Sequence, residues 1–447
     1  MRRLIVPLTA AEATGADRFG PKAANLARLG RAGLPIPDGF CVDAEAYRIQ
    51  VAALGLEESA RRVNAVEPGM ARRAALAMKL GLLDHPIVPQ VLDALLEARR
   101  ALVETTSALM VVRSSALVED RFGSSFAGQF ESYLGLEGET DFITAVRSCW
   151  AAVWSTRVLR YMATHDASPA DTAMAVLVQP LVSARVSGGG LSRTSDGDMV
   201  LNATWGVGSA IAQGEVVPDR FVLSRDHEGE LRLRDTVAGR IFHRGGCAHG
   251  TRPVSRPRSS KPCLNALQAV ELGRLLRRVE DLMGMPVEIE WAQDDAGFKL
   301  LQARPLHLAP ARIPDEIWLR HPGLSGHPAG VGWGSGRACV VNCECELARV
   351  APGDVLVTKV AGPALSAVLP RVAGLVAELG GSTSHLASLA RERGIPMVLG
   401  VLDATQRIPD GAQIAVDGVA GVVRWMPRNL TQRGEFPCAP ASSSLSR

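Results

Sequence analysis

Residues 287–291 alternate apolar and acidic positions with the two-residue period of a strand. Val287, Ile289 and Trp291 take one face, Glu288 and Glu290 the other. An Asp-Asp-Ala-Gly turn follows, and on the returning segment Gln302 and Arg304 share a face, so Pro286 to Leu306 predicts a β-hairpin. Met110 to Val112 lead into Arg113 as a strand that ends at a polar loop, and Ala173 to Val182 forms a buried strand with Gln179 inside it. Helical spacing marks Leu26, Leu29 and Ala32, stopped by Gly33, Pro35 and Pro37, and again Leu272, Leu275, Val279 and Leu282 on one face near 265–283. Residues 45–106 read as helical, rich in Ala, Leu and Arg, with no candidate chemistry.

From 308 to 330 periodicity is lost and Pro and Gly accumulate, which predicts a linker. Beyond it, short apolar strands (ACVV, DVLVTKV, AGLVAE, MVLGV, QIAVDG, GVVRW) alternate with turns, as in a compact α/β domain of about 100 residues. The expected organisation is a first domain over 1–308, a linker over 309–332, a second domain over 333–428 and a disordered tail over 429–447.

In the second domain, Gly380 to Pro396 sets His385 where a glycine turn meets an amphipathic helix. Ser382, Thr383 and Ser384 are all good N-cap residues, and Gly394 with Pro396 ends the helix about three turns on. A helix start offers free N–H groups and partial positive charge, which suits a bound anion. A histidine there would stay mostly neutral and nucleophilic, with donors at hand for a phosphoryl group. Taken alone, a lone histidine is more often a surface or packing residue.

Other candidates divide in the same way. Lys22, flanked by Gly20 and Pro21, sits just before a helix and reads either as a phosphate ligand or as a solvated lysine. Arg113 leads a loop carrying Ser114, Ser115, Glu119, Asp120, Ser124 and Ser125 before Gly128 and Gln129. Such a mix suits triphosphate oxygens, with the arginine binding them bidentately, and equally suits a plain surface loop. Glu288 and Glu290 with Arg304 opposite are either a solvated sheet face or a seat for Mg²⁺ against nucleotide phosphates.

Composition narrows the field. The chain has 447 residues, 47% hydrophobic and 21% charged, an ordinary soluble globular protein of two or three domains. Its net charge of +3 calls for neither nucleic acid nor an acidic membrane, and no apolar run approaches about 18 residues. The opening MRRLIVPLTAAEA is broken by Pro7 and ends at Glu12, which argues against export. Eight cysteines in so long a chain make no disulfide framework and favour the cytoplasm. Neither Cys339, Cys343 and Cys345 nor Cys247 with His249 has paired CxxC spacing, so no zinc site is expected. Gly188 to Gly190 are not followed by Gly-Lys-Ser/Thr and do not form a P-loop.

Taken in order, GPKAANL, VVRSSALVEDRFGSSFAGQ, TWGVG with AQGEVVPD, VEIEW with LQARP, PGDVLV and GGSTSHLASLARERGIPMVLG resemble phosphoenolpyruvate synthase, pyruvate phosphate dikinase and rifampicin phosphotransferase, across residues 20–425. The resemblance implies an α/β chain: an ATP-grasp-like nucleotide-binding domain followed by a small swivelling phosphohistidine domain. It assigns ATP contacts to Lys22, Arg113, Gly128, Ser132, Gln179, Glu290, Gln302 and Arg304, and the Mg²⁺-side carboxylate to Glu290 with Glu288 as companion. It makes His385 the catalytic residue, with Thr383 and Ser384 supporting its phosphorylated form.

The implied reaction passes the β-phosphoryl of ATP through His385 to a small-molecule acceptor, releasing AMP and Pi. Three alternatives are the phosphohistidine-forming subunit of a two-component synthase whose acceptor domain is a separate protein, a ligase that activates its substrate by phosphorylation, and a pure phosphocarrier. There are departures. Ser209 replaces the usual glutamate after TWGxG, and AGPALSAVL lacks the threonine and Pro-Xaa-Trp pattern often found upstream of the histidine. The sequence has room neither for the phosphoenolpyruvate/pyruvate barrel nor, between 310 and 332, for a rifampicin-binding domain. The acceptor site is therefore expected to be missing, remote or built from the two domains present.

Overall fold

The alternation at 287–305 folds as read. Strands Val287–Asp294 and Gly297–Pro305 pair antiparallel with Glu288 opposite Arg304 and Glu290 opposite Gln302. Val287, Ile289 and Trp291 are fully buried. Burying each such side chain contributes about 1.5–3 kcal/mol, which fixes the register and commits the polar residues to the opposite face. The computed structural model describes residues 3–63, 67–106, 108–119, 126–163, 165, 168–225, 230–239, 261–307 and 316–426. The expected disordered tail over 429–447, the pair Cys247 and His249, and loop residues Asp120, Ser124 and Ser125 lie outside them.

The hairpin begins a six-stranded antiparallel sheet that continues through Val186–Leu191, Met199–Trp205, Asp219–Arg225 and Leu231–Val237. A second antiparallel sheet runs Ile5–Pro7, Phe40–Val42, Met174–Pro180, Met110–Ala116, Ser132–Leu136. The third belongs to the C-terminal domain. Its centre is parallel (Trp333–Val341, Val355–Thr358, Gly374–Ala377, Met397–Leu399) and its flanks are antiparallel. The α/β expectation holds.

Several boundaries shift. The strand at Arg113 does not stop there but runs to Ala116, because the next two hydroxyls find partners inside the fold. Ser115 Oγ donates to the Phe19 carbonyl (2.7 Å) and accepts from the Ala23 amide (3.1 Å). The first long helix begins at Ala16 and is broken at Gly20 (φ 75°), so Lys22 lies in the turn after the break and is buried. Leu272, Leu275 and Val279 pack inward, whereas Leu282, in the last turn before Gly284, is exposed. The histidine helix, His385–Glu392, is nearer two turns than three.

The expected linker is also shorter than 309–332. Residues Gly323–Ser325 and His327–Pro328 are edge strands of the third sheet, pairing with Val422–Trp425 and Met397–Leu399. Trp318, in the turn Glu316–Arg320, packs edge-on to Trp333 with centroids 6.3 Å apart. Polar and glycine-rich sequence hid these strands because each is short and lies at an edge.

Candidate active site

His385 is the first residue of its helix. Ser384 precedes it in extended conformation and caps the helix, its hydroxyl accepting from the Ala387 amide at 3.3 Å. The Ser384 hydroxyl is thereby committed to the cap, and the Thr383 side chain is buried. The loop is held from the six-stranded sheet by Asn202. In the orientation that satisfies its amide, the side-chain oxygen accepts from the main-chain N–H groups of Ser382 (3.1 Å) and Thr383 (3.3 Å). Two glycines give the loop room. A Cβ on Gly189 would stand 2.6 Å from Thr383 Cβ, and one on Gly128 (φ 66°) would stand 3.0 Å from both Cβ and Nδ1 of His385.

Most of the residues expected to meet ATP gather near the same loop. Arg113 crosses from its own sheet to the hairpin, donating through Nη2 to Glu290 (3.1 Å) and Gln302 (2.8 Å) and through Nη1 to the Leu301 carbonyl (2.5 Å). Lys22 pairs with Glu119 at 2.6 Å and donates to the Ser114 carbonyl at 2.8 Å. Arg304 pairs with Glu288 at 3.3 Å and donates to Ser388 of the histidine helix at 2.7 Å. Lys22, Arg113, Gly128, Glu290, Gln302, Arg304 and His385 are thus brought together. Gln179 and Ser132 stand apart from these contacts. The Gln179 amide donates to the Pro37 carbonyl (3.1 Å), and Ser132, in register opposite Arg113, is exposed. Ser209, at the departure from the family pattern, is exposed as well.

The electrostatics separate the two carboxylates from the histidine. Burial lowers the His385 imidazole to about 4, with Glu290 pulling the other way, so at neutral pH the ring is an uncharged nucleophile. Burial opposes ionisation of Glu290, but Arg113 foremost, then His385, Arg304 and Lys22, outweigh it and hold the carboxyl below its ordinary value. Glu288 is likewise ionised, with Arg304 and Arg391 overcoming its burial. Glu290 is 34% exposed, whereas Glu288 is 6% exposed and its Oε2 is already bonded by Arg304, Arg391 and Ser388.

Several participants were not singled out from sequence. Ser388, Arg391 and Glu392 follow His385 at three, six and seven residues, the spacing of one helix face. Glu392 accepts from Tyr161 Oη (2.5 Å) and faces His165 Nε2 (3.0 Å), two residues of the first domain. Asn202 is a polar residue inside a buried strand, a pattern that itself flags a required partner.

Comparison with known proteins gives the same picture. Residues 16–317 match the pyruvate phosphate dikinase AMP/ATP-binding domain, and residues 350–421 the mobile domain of PEP-utilising enzymes. The chain is 33% identical to a phosphoenolpyruvate synthase of Aeropyrum pernix, over 94% of this chain and 58% of that protein. It is 28% identical to those of Pyrococcus furiosus (93% and 58%) and Escherichia coli (91% and 55%). It therefore spans just over half the length of these relatives. Among the described residues no helix is long and apolar enough to cross a membrane. On these matches the chain belongs to the pyruvate phosphate dikinase family and joins that family's AMP/ATP-binding domain to the mobile domain of PEP-utilising enzymes.

Proposed function

We propose that this protein is a dikinase-type phosphotransferase in which His385 takes the β-phosphoryl of ATP and carries it to a small-molecule acceptor. The observation that carries the reading is the gathering of Arg113, Glu290, Gln302, Arg304 and Lys22 around an uncharged histidine at the first position of a helix. A nitrogen of His385 attacks the β-phosphorus, and the bond from that phosphorus to the α-phosphate oxygen breaks. AMP leaves, and water then removes the γ-phosphate as Pi, leaving one phosphoryl group on the ring. A Cβ at Gly128 would stand 3.0 Å from Nδ1, so the ring keeps its place only beside a residue without a side chain. Arg113, Arg304 and Lys22 spread the triphosphate charge, which is the main form of catalysis available to phosphoryl transfer.

The residues also suit Mg²⁺. Oε2 of Glu290 is bonded by Arg113, and the partly exposed carboxylate keeps its second oxygen for a cation. No cluster of three or more His, Cys, Asp or Glu able to hold a metal exists among the described residues. A cation here would accordingly be shared with phosphate oxygens, as Mg²⁺ prefers, and would neutralise their charge. The relatives are phosphoenolpyruvate synthases, which places pyruvate first among acceptors to screen.

ATP labelled at the β-phosphate should mark the protein with an acid-labile phosphate, and γ-labelled ATP should not. Retention of the β-label by His385→Ala would overturn the assignment. ATP-dependent AMP release, screened against candidate acceptors, identifies where the phosphoryl group goes.

A further inference from the structure

The hairpin and the histidine helix meet through one buried polar cluster. Ser388 Oγ donates to Glu288 Oε2 at 2.6 Å and accepts from Arg304 Nη2 at 2.7 Å and Arg391 Nη2 at 3.1 Å. Arg391 also donates to Glu288 Oε2 at 3.0 Å, and its Nη1 bonds the carbonyls of Ser382 (2.6 Å) and Ala329 (3.1 Å) within its own domain. Glu288, Arg304, Ser388 and Arg391 are each at most 6% exposed. One carboxylate oxygen thus serves an arginine of its own hairpin and two groups of the other domain.

We infer that Glu288 is a docking residue and not a second metal carboxylate: with Arg304 it forms the seat that accepts Ser388 and Arg391 and so holds His385 at the nucleotide cleft. The purpose of that docking rests on the proposed histidine phosphorylation; its existence does not. Three hydrogen bonds to one oxygen, from donors on two domains, define a single orientation of the helix. Their net strength is modest, because desolvating charged groups offsets much of their attraction. Departure leaves Glu288 paired with Arg304, and Arg391 with its own carbonyls, so neither charge is stranded when the domain moves away. Removing one member while the domain is docked is different, since it strips buried charge of its partners. The hairpin therefore divides its acidic pair: Glu290 faces the nucleotide side, Glu288 the moving domain.

Amide hydrogen exchange of segment 385–392 in the full chain, without nucleotide, tests this directly. Glu288→Gln and Ser388→Ala should each speed exchange there by roughly tenfold, the loss expected for a hydrogen bond to a charged group. The double variant should add little beyond either single one. Ser388→Ala, the milder change, should keep the wild-type melting temperature within a few degrees. Unchanged exchange in both variants would overturn the inference, as would a raised Mg²⁺ requirement in Glu288→Gln with exchange unchanged. Because the exchange readout needs no turnover, it stands even if His385 proves not to be phosphorylated.

Discussion

At the scale of the residue, the chemistry of His385 turns on its lowered proton affinity. An ordinary imidazole titrates near 6.5, whereas burial takes His385 to about 4. Its neutral, reactive form consequently persists through mild acid. The rate of β-label incorporation should stay flat from pH 8 to about 5, where an unperturbed histidine would already have lost most of its nucleophile. A decline centred at 6.5 would show that the ring is not held as described. Gly128 has an equally specific requirement. Its left-handed backbone and the 3.0 Å approach to His385 leave no place for a side chain. Gly128→Ala should reduce labelling at least tenfold in a folded protein, as measured by single-turnover kinetics alongside circular dichroism.

At the scale of the element, Gly20 joins two helical segments and lies against the Arg113 strand. A Cβ there would come within 2.3 Å of the Ser115 carbonyl oxygen, at a φ of 75°. Gly20→Ala should destabilise the protein by at least ~1–2 kcal/mol from the backbone conformation alone, with the clash in addition, read as a lowered unfolding midpoint. Elements of this kind also show what the sequence reveals. The 287–305 hairpin was legible in its strands, turn and faces, because Val287, Ile289 and Trp291 are buried together, but the register shift between Glu290 and Trp291 was not. The histidine turn was legible from its glycines and cap residues. The extension of the Arg113 strand was not, since Ser114 and Ser115 look like loop residues until their partners on another element are known. The surroundings of Glu288 were hidden for a related reason. Alternation placed it beside Glu290 on one face, and only tertiary packing sets Arg391 and Ser388 against it.

At the scale of the whole molecule, proton binding at His385 is linked to the position of its domain. The docked ring has a depressed affinity, and an undocked, hydrated ring returns toward 6.5. If the domain undocks as proposed, the undocked state binds more protons between about 6.5 and 4, and docking weakens as pH falls through that window, most at its acid end. Small-angle scattering should show the radius of gyration rising between about pH 5 and 4 before secondary structure is lost. A constant radius across that range would refute the linkage.

The two short edge strands at Gly323–Ser325 and His327–Pro328, with Trp318 packed on Trp333, tie the start of the second domain into its own sheet. They thereby set a travel radius. Only the nine residue steps from His307 to Glu316 lie between the last residue described after the hairpin and the first described turn of the mobile unit. A fully extended chain of that length spans at most about 32 Å. If His385 carries a phosphoryl group to a second station as proposed, that station lies within the distance set by this span and the size of the domain. Lengthening the tether should widen the choice of acceptor positions without altering the chemistry at the first station, and shortening it should trap the phosphoryl group on the histidine.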